Sequence, residues 1–376
     1  MHIIVLEDEP SSLLGGQELS LFDVCRGLSQ RGHSITLLYL KEGNLLQQYQ
    51  EFCTEVLNIS SYRFRRKKIN YIFKFINDIF KICVSKNSVV YSNHYKNVFF
   101  GYALALVKNI PFVCHLRLPP PKKGFKRQWT IALKGVKQFI TISNQTKLDW
   151  INIGFKEEKL DVIYNGINTE IFLPANDFYK KREEWKIPKD IRVISYAGRL
   201  DKNKGIETLL KGFALLLTSE SNTKLLIAGK PLCEDEEYQK SLEQLSIDLG
   251  ITEYVSFLGH VNNIISLYQV SDVTVLPSVW SEPFGRTIIE SMACGTPVVA
   301  SRIGGIPEVL TGEFQSGLFE PGNEQDLSIT LSRFVNWRDS DPQFCDRCRA
   351  HVARQFSLDK MLDGVEKVLL RVVNSK

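Results

Sequence analysis

The chain has 376 residues, of which 44% are hydrophobic and 24% are charged. These values exclude a disordered chain and suffice for two domains that each bury a core, and no apolar run is long enough to span a membrane. The net charge of +5 is uneven, because residues 1–175 hold 23 Lys and Arg against 14 Asp and Glu while the remainder holds 24 against 28. An anionic partner is therefore expected on the first half.

Short apolar runs alternate with helical patterns along the chain, which indicates parallel sheets in a doubly wound α/β protein. The apolar start, residues 1–6, is followed at once by three acidic residues, so we predict a first strand and not a secretory signal. The predicted strands are 2–7, 34–40, 54–59, 88–92, 111–115, 138–142, 160–164, 192–197, 223–228, 254–258, 272–276, 297–300 and 316–319.

Two successive series of strands predict two Rossmann-like domains, although alternation alone does not exclude a barrel. Asn165-Gly166 and Pro174 interrupt the pattern, and a charged stretch follows, so the break is predicted between 165 and 190. We predict domains at 1–170 and 171–356 and a final helical segment at 357–376. Ligands of doubly wound domains bind at the carboxyl ends of the strands, so a cleft shared by the two domains is the expected site.

The first strand is followed by a glycine pair, Gly15-Gly16, ahead of a predicted helix. One interpretation is a flexible loop that contacts a bound diphosphate and an acceptor, and the other is a plain strand-to-helix turn. The loop lacks the G-x-G-x-x-G fingerprint, which disfavours a nicotinamide cofactor. His115 is predicted to end a later strand, where a lone histidine is either structural or part of a site.

Residues 62–86 contain eight basic residues against one acidic residue, Asp78. An apolar stripe in this window has helical spacing: Ile69, Ile72, Phe73, Ile76, Ile79, Phe80 and Cys83. We predict that the stripe packs on the sheet of the first domain, and the alternative is a helix lying on an anionic membrane. The basic clusters Arg63–Lys68 and Lys122–Arg127 remain a candidate lipid surface. No nucleic-acid motif accompanies them, so no nucleic-acid partner is expected.

In the second half, Gly198 and Gly205 bracket Arg199 and Lys204 just after a predicted strand. Two cations on one loop can clamp a diphosphate and stabilise charge on a leaving group, and the alternative is a solvated basic loop. Eight cysteines form no spaced framework, and Cys345-x-x-Cys348 has no second pair, so we expect free thiols and no zinc site.

The most informative stretch is Ser281–Ala300, where Glu282 and Glu290 flank Gly285 and the start of a short helix. A helix start offers N–H groups to an anion, and eight residues make a little over two turns, so both carboxylates can face one cleft. This arrangement suits a sugar nucleotide. For Glu290 the alternative is an ordinary surface carboxylate, and Arg286 is either a third cation or simply exposed.

This stretch resembles the donor-site signature of retaining glycosyltransferases of family 4, which have the GT-B fold. Further segments resemble that family in chain order: Leu6–Pro10, Gly15–Glu18, Arg31–His33, Val162–Ile167 and Ala197–Gly205. The resemblance implies two Rossmann-like domains facing across a cleft, with the final helix crossing back to the first. It implies a metal-independent hexosyltransferase without cofactors, which moves a sugar from a nucleoside-diphosphate sugar to a hydroxyl acceptor with retention.

The resemblance also assigns roles. Glu290 would accept bonds from ribose hydroxyls, Glu282 would face the donor sugar, and His115 would lie beside its reacting carbon. Ser92 stands where the family often has the first histidine of a pair completed by His94, which puts that pair in doubt. Implied catalytic residues are His115, Arg199, Lys204 and Glu282. Implied donor-binding residues are Gly15, Gly16, Gly198, Arg199, Lys204, Gly259, His260, Glu282, Phe284, Gly285, Arg286, Thr287 and Glu290.

We therefore expect a cytoplasmic transferase in polysaccharide, lipopolysaccharide or glycolipid synthesis, with a sugar or lipid-linked acceptor. The basic first half adds a candidate peripheral contact at the inner face of an anionic membrane. Two other functions stay open. A sugar-nucleotide epimerase of the same fold would need catalytic acids in the first domain, and a non-catalytic binding protein would tolerate loss of the cations or of the second glutamate.

Overall fold

The structure, a computed structural model, describes residues 1–63, 69–231 and 236–375. Its strands are β1 His2–Glu7, β2 Ser34–Tyr39, β3 Glu55–Asn58, β4 Ser88–Ser92, β5 Phe112–Leu116, β6 Gln138–Thr141, β7 Leu160–Val162, β8 Arg192–Ala197, β9 Thr223–Ala228, β10 Val255–Gly259, β11 Val273–Leu276, β12 Val298–Ser301 and β13 Leu318–Phe319. Each coincides with a predicted strand to within two residues at either end.

The helices are α1 Gly16–Gln30, α2 Leu46–Phe52, α3 Ile69–Lys81, α4 Val98–Lys108, α5 Arg127–Lys134, α6 Asn144–Ile151, α7 Phe178–Glu184, α8 Ile206–Leu216, α9 Glu236–Asp248, α10 Ile264–Val270, α11 Arg286–Ala293, α12 Ile306–Val309, α13 Glu324–Phe334, α14 Trp337–Ser340, α15 Phe344–Gln355 and α16 Leu358–Asn374. Short 3₁₀ turns occur at Tyr95–Asn97, Glu157–Lys159, Lys202–Lys204, Thr252–Tyr254 and Gly312–Gly317. None of the described helices combines the length and the apolar composition needed to cross a bilayer.

The chain divides into two compact units. Unit 1 comprises Met1–Asn165 with Leu358–Lys376, and unit 2 comprises Gly166–Ser357. Each contains one parallel sheet with helices packed against it, which confirms the predicted class of two doubly wound α/β domains.

In unit 1 the strand order is β3-β2-β1-β4-β5-β6-β7. The final helix, α16, belongs to this unit and packs against α1. It buries Leu362, Val365 and Leu369 in the core on one face of the sheet. The approach is close, because a β-carbon built on Gly27 of α1 would lie 2.4 Å from a methyl carbon of Leu362. A larger residue at position 27 would therefore require the Leu362 side chain to move.

In unit 2 the strand order is β10-β9-β8-β11-β12-β13. The order reverses between β8 and β11, just as it reverses between β1 and β4 in unit 1. Ligands of doubly wound sheets bind outside the carboxyl ends of the strands at such a reversal. Each unit therefore presents one default binding position, and the residues that follow these four strands are the ones to inspect.

Helix α3 differs from the prediction made for its apolar stripe. Phe75, Ile79 and Ile82 face the core, whereas Phe73 and Phe80, which belong to the predicted stripe, are exposed. The helix is apolar on two faces, so periodicity alone could not choose the buried one. Within the basic cluster at 63–68 only Arg63 lies among the described residues, and it is exposed.

Candidate functional site

The loop after β8 contacts the loop that follows β11. Gly205 has φ 67°, and a β-carbon there would lie 2.0 Å from the carbonyl oxygen of Pro277. The backbone N–H of Val279 donates to the carbonyl of Asn203 at 2.9 Å. Only glycine permits both the left-handed conformation and this approach, so the two loops meet at the topological reversal of unit 2.

Two predicted site residues pair directly at this junction. Nζ of Lys204 lies 2.6 Å from Oε2 of Glu282, and the two side chains are only 14% and 13% exposed. The Ser278 hydroxyl donates to the same carboxylate oxygen at 3.1 Å. The Glu282 carbonyl accepts the N–H of Gly305 at 2.7 Å, which fixes the loop from behind. Unit 2 therefore holds a charge-assisted pair at the carboxyl end of β11.

Arg199 lies on the same loop and is half-buried. Its carbonyl accepts a hydrogen bond from the hydroxyl of Tyr196 at 2.6 Å, and the N–H of Gly198 donates to the carbonyl of Ala228. Asp201 caps the turn Lys202–Lys204 by accepting from the N–H of Asn203 at 2.8 Å. These hydrogen bonds to the backbone fix the positions from which the side chains of Arg199 and Lys204 project.

Helix α11 carries the second glutamate. Its N-cap is Gly285 at φ 89°, and Glu290 is 8% exposed, so it is not the surface carboxylate of the alternative interpretation. Nε of Arg286 donates to Oε1 of Glu290 at 2.7 Å, and the Tyr268 hydroxyl donates to Oε2 at 3.0 Å. Arg286 is therefore largely buried and bound within the helix. A carboxylate keeps further lone pairs, so Glu290 can still accept bonds from ligand hydroxyls.

The remaining predicted donor residues are placed as follows. Phe284 is 1% exposed and packs edge-on against Phe356, so only its backbone can serve a ligand. The Thr287 hydroxyl donates to the carbonyl of Ala197 at 3.4 Å, which ties α11 to the end of β8. Gly259 ends β10 with φ 65°, and His260 beside it is exposed.

Trp280 is a site residue that the sequence analysis missed. Its indole nitrogen is buried without a hydrogen-bond partner among the described residues, and Nζ of Lys204 lies 6.0 Å from the centre of its ring. A buried donor without a partner is costly unless a ligand or water completes it. Its place between β11 and Glu282 was the only signal for it in the sequence.

The chain contains an Asp-x-Asp sequence at Asp339–Asp341, a motif that can supply metal ligands. In the structure Asp339 forms an ion pair with Arg192, and Asp341 pairs with Arg347. No group of three or more potential metal-ligating side chains occurs within the described parts of the chain. Those two carboxylates therefore serve ion pairs in unit 2, away from the strand ends that bear the predicted cations.

In unit 1 the glycine pair lies where the sequence suggested. Gly15, with φ 143°, caps the amino end of α1, and Gly16 begins that helix and is exposed. The pair follows β1 at the reversal of strand order, so the amino end of a 15-residue helix faces that position.

His115 is the penultimate residue of β5, as predicted to within one residue, and it is fully buried. Its Nδ1 lies 2.5 Å from the Tyr91 hydroxyl, and its Nε2 has no partner among the described residues. Burial holds the pKa of His115 well below its usual value, so the ring is neutral. Its catalytic role stays a prediction. His94 caps the turn after β4 through Nδ1, and burial lowers its pKa to about 3.

A polar network that the sequence analysis did not identify lies at the same edge of this sheet. Arg117 donates to the amide oxygens of Asn93 and Asn165, at 2.5 and 2.7 Å. The Asn93 amide in turn donates to Oε2 of Glu7 at 3.3 Å. All four side chains are at most 6% exposed. They lie at or just beyond the ends of β1, β4, β5 and β7, and polar residues repeated at strand ends were the signal that could have found them.

Two protein-family models match this chain, and the boundary between their matches falls close to the boundary between the two units. A family model for glycosyl transferases group 1 matches residues 177–350, and a model for glycosyltransferase family 4 matches residues 14–171. The chain belongs to the group 1 and family 4 glycosyltransferases. Together the two models span most of its length.

Individual relatives agree with this assignment. An uncharacterized glycosyltransferase of Methanocaldococcus jannaschii is 27% identical over 95% of both chains. D-inositol 3-phosphate glycosyltransferase of Mycolicibacterium smegmatis is 29% identical over 55% of this chain and 46% of its own length. This chain thus spans about half the length of that relative.

Solved structures share the fold over the whole chain. Anabaena HepE in complex with UDP-glucose superposes with a TM-score of 0.83 at 22% identity and covers 98% of this chain and 99% of its own. A glycosyltransferase from Rickettsia africae also has a TM-score of 0.83, at 22% identity over 100% and 99% of the two chains. With its two parallel sheets of seven and six strands, the glycosyltransferase has the GT-B fold.

Replacement of Gly205 by alanine should disrupt the junction of the two loops. Gly250 is a matched control, because its φ of 69° equals that of Gly205 within 2° while nothing lies within 4 Å of a β-carbon built on it. Both variants bear the left-handed penalty of about 1–2 kcal/mol, but only Gly205→Ala adds the clash with Pro277. Urea denaturation should show the larger loss of stability in Gly205→Ala, and equal losses would contradict the close approach.

The stability of unit 1 should depend on the protonation of Glu7. Burial, reinforced by Glu18 and Asp8, raises the pKa of Glu7 to about 8. Between the unfolded value near 4.3 and about 8 the folded chain holds the extra proton, so its free energy of unfolding falls as pH rises.

Glu7→Gln keeps an acceptor but removes this titration. Its stability relative to wild type should therefore rise steadily from pH 5 to about 8 in urea titrations. The exposed Glu157→Gln is the control and should show a constant difference. A constant difference for Glu7→Gln as well would refute the account.

Proposed function

We propose that the chain is a retaining hexosyltransferase that uses a nucleoside-diphosphate sugar and a hydroxyl acceptor. The observation that carries the proposal is the convergence of Arg199, Lys204 and Glu282 with the amino end of α11 at the reversal of strand order in unit 2. Cations and the N–H groups of a helix start suit a diphosphate, and a carboxylate suits sugar hydroxyls.

The donor would be held by three parts of unit 2. Its diphosphate would lie against Arg199, Lys204 and the N–H groups at the start of α11, where the helix dipole also favours negative charge. Glu290 would accept the ribose hydroxyls while Arg286 and Tyr268 keep its carboxylate in place. The nucleotide base would lie against Gly259 and His260. Anabaena HepE bound to UDP-glucose supports a sugar nucleotide of this kind.

Donor binding would exchange the partners of the ion pair between Lys204 and Glu282. An incoming phosphate would take over the Lys204 ammonium and release Glu282 to accept hydroxyls of the donor sugar. The unpartnered Trp280 N–H is a further donor at the same place. Binding of the complete sugar nucleotide thus satisfies both halves of the broken pair, whereas UDP alone satisfies only the lysine.

In the transfer step the bond between the anomeric carbon and the phosphate oxygen breaks, and a bond to the acceptor oxygen forms on the same face. The leaving phosphate would take the acceptor's proton, and Arg199 and Lys204 would stabilise its charge without a metal ion. His115, kept neutral by burial, would lie near the reacting carbon. The acceptor would bind unit 1, where the excess of basic residues favours an anionic or lipid-linked molecule.

This acceptor class places the enzyme in cytoplasmic assembly of a polysaccharide, a lipopolysaccharide or a glycolipid, with peripheral contact at the inner membrane face. Of the two basic clusters, Lys122, Lys123, Lys126 and Arg127 are exposed in unit 1. These side chains are available to phosphate groups of such an acceptor.

Calorimetric titration with UDP and with UDP-glucose tests the donor site. Lys204→Ala should weaken both ligands by about 10- to 100-fold, as expected for one charge-assisted bond of about 1.5–3 kcal/mol. Glu282→Gln should weaken UDP-glucose but not UDP, because it removes a sugar contact and frees Lys204. The exposed Lys211→Ala on neighbouring α8 is the matched control and should bind both ligands as wild type does.

The outcome against the proposal is specific. If Lys204→Ala bound both ligands normally, or Glu282→Gln lost UDP as severely as UDP-glucose, the assigned roles would be wrong. Release of a changed sugar nucleotide in the absence of any acceptor would instead identify an epimerase.

A further inference from the structure

Helix α3 of unit 1 presents an apolar surface to solvent. Phe73 is 68% exposed, Phe80 is 66% exposed and Ile76 is 44% exposed. Their spacing of three and four residues puts them on one side of the helix, and Phe75 and Ile79, which are buried in the core, lie roughly 110° around the helix from the centre of that side. Because the buried side already anchors α3, the fold does not need the exposed one.

Basic side chains flank this surface. Lys74 and Lys81 are seven residues apart, so they lie almost in line along one flank, and both are exposed. On neighbouring α4, Lys108 approaches Phe80: its Nζ lies 5.7 Å from the ring centre and donates to the Phe80 carbonyl at 3.3 Å. We name Phe73, Ile76, Phe80, Lys74, Lys81 and Lys108 together the α3 face.

The α3 face carries no negative charge. The only acidic residue of α3 or α4 is Asp78, which is buried and accepts the backbone N–H of Ser60 at 2.9 Å. The same end of α4 adds two more exposed apolar side chains, Leu106 at 68% and Val107 at 51%. Apolar groups whose neighbouring exposed charges on α3 and α4 are all positive match the boundary of an anionic bilayer, where acyl chains lie beneath phosphate groups.

We propose that the α3 face docks unit 1 on an anionic lipid bilayer. Phe73, Ile76 and Phe80 enter the boundary between head groups and acyl chains, while the three lysines bind lipid phosphates. A helix of 13 residues that is anchored on its other side lies in the membrane plane and does not cross it. The inference deepens the peripheral membrane contact of the proposed function and is independent of the donor chemistry proposed for unit 2.

Vesicle co-sedimentation of the full chain tests the proposal. The protein should bind vesicles containing about a third phosphatidylglycerol at least about tenfold better than pure phosphatidylcholine. The double variant Phe73→Ser with Phe80→Ser should lose at least about tenfold in partitioning, because it removes the inserted rings. Lys74→Glu with Lys81→Glu should abolish the preference for anionic lipid.

Controls and contrary outcomes separate the alternatives. Ile247→Ser, at an apolar residue of unit 2 that is 58% exposed, and Lys211→Glu with Lys224→Glu should bind vesicles as wild type does. No binding to anionic vesicles, or binding that the serine variants leave unchanged, would overturn the proposal. Concentration-dependent dimers abolished by the serine variants, without vesicle binding, would assign the face to a second copy of the chain instead.

Each variant is also titrated with UDP. Normal UDP affinity with failed vesicle binding would defeat only the membrane proposal. Vesicle binding together with absent affinity for every member of a panel of nucleoside diphosphates, UDP included, in wild type and variants would defeat only the donor assignment.

Discussion

The contact between the loops after β8 and β11 is the constraint on which the candidate donor site depends. The two strands are not consecutive in the chain, yet Gly205 brings their loops within backbone distance at Pro277. That approach puts Lys204 beside Glu282 and the start of α8 beside the loop that leads to α11. With any side chain at position 205 the loops would separate, and the residues of the two signatures would no longer meet.

Four charged side chains of the site form two ion pairs within unit 2. Lys204 is paired with Glu282, and Arg286 is paired with Glu290, all with little exposure. Largely buried charges need partners, so such pairing stabilises this part of unit 2. It also implies that a ligand must replace each contact it breaks, which favours a molecule with a phosphate for the lysine and hydroxyls for the carboxylates.

Much of the fold could be predicted because buried parallel strands are short continuous apolar runs bounded by turn residues. All thirteen predicted strands are present for that reason. The order of the strands was not predictable, since it depends on contacts between distant residues such as Asn93 with Glu7. The buried side of α3 was also beyond the sequence, because that helix offers two apolar faces.

For the site, local patterns located the residues but not their partners. Gly285 and the start of α11 were found from a glycine followed by a helical pattern. The burial of Glu290 under Tyr268, the indole of Trp280 and the enclosure of His115 within β5 all arise from tertiary packing. No spacing rule contains that information, which explains why each was missed or placed only approximately.

The most direct test of the account is a crystal structure of the chain with UDP. The account predicts that the nucleotide lies at the ends of β8 and β11. Its diphosphate should then be within hydrogen-bond distance of Arg199 and Lys204, and its ribose hydroxyls should contact Glu290. A nucleotide bound instead at the ends of β1 and β4, against Gly15 and Gly16, would contradict the assignment of the donor to unit 2.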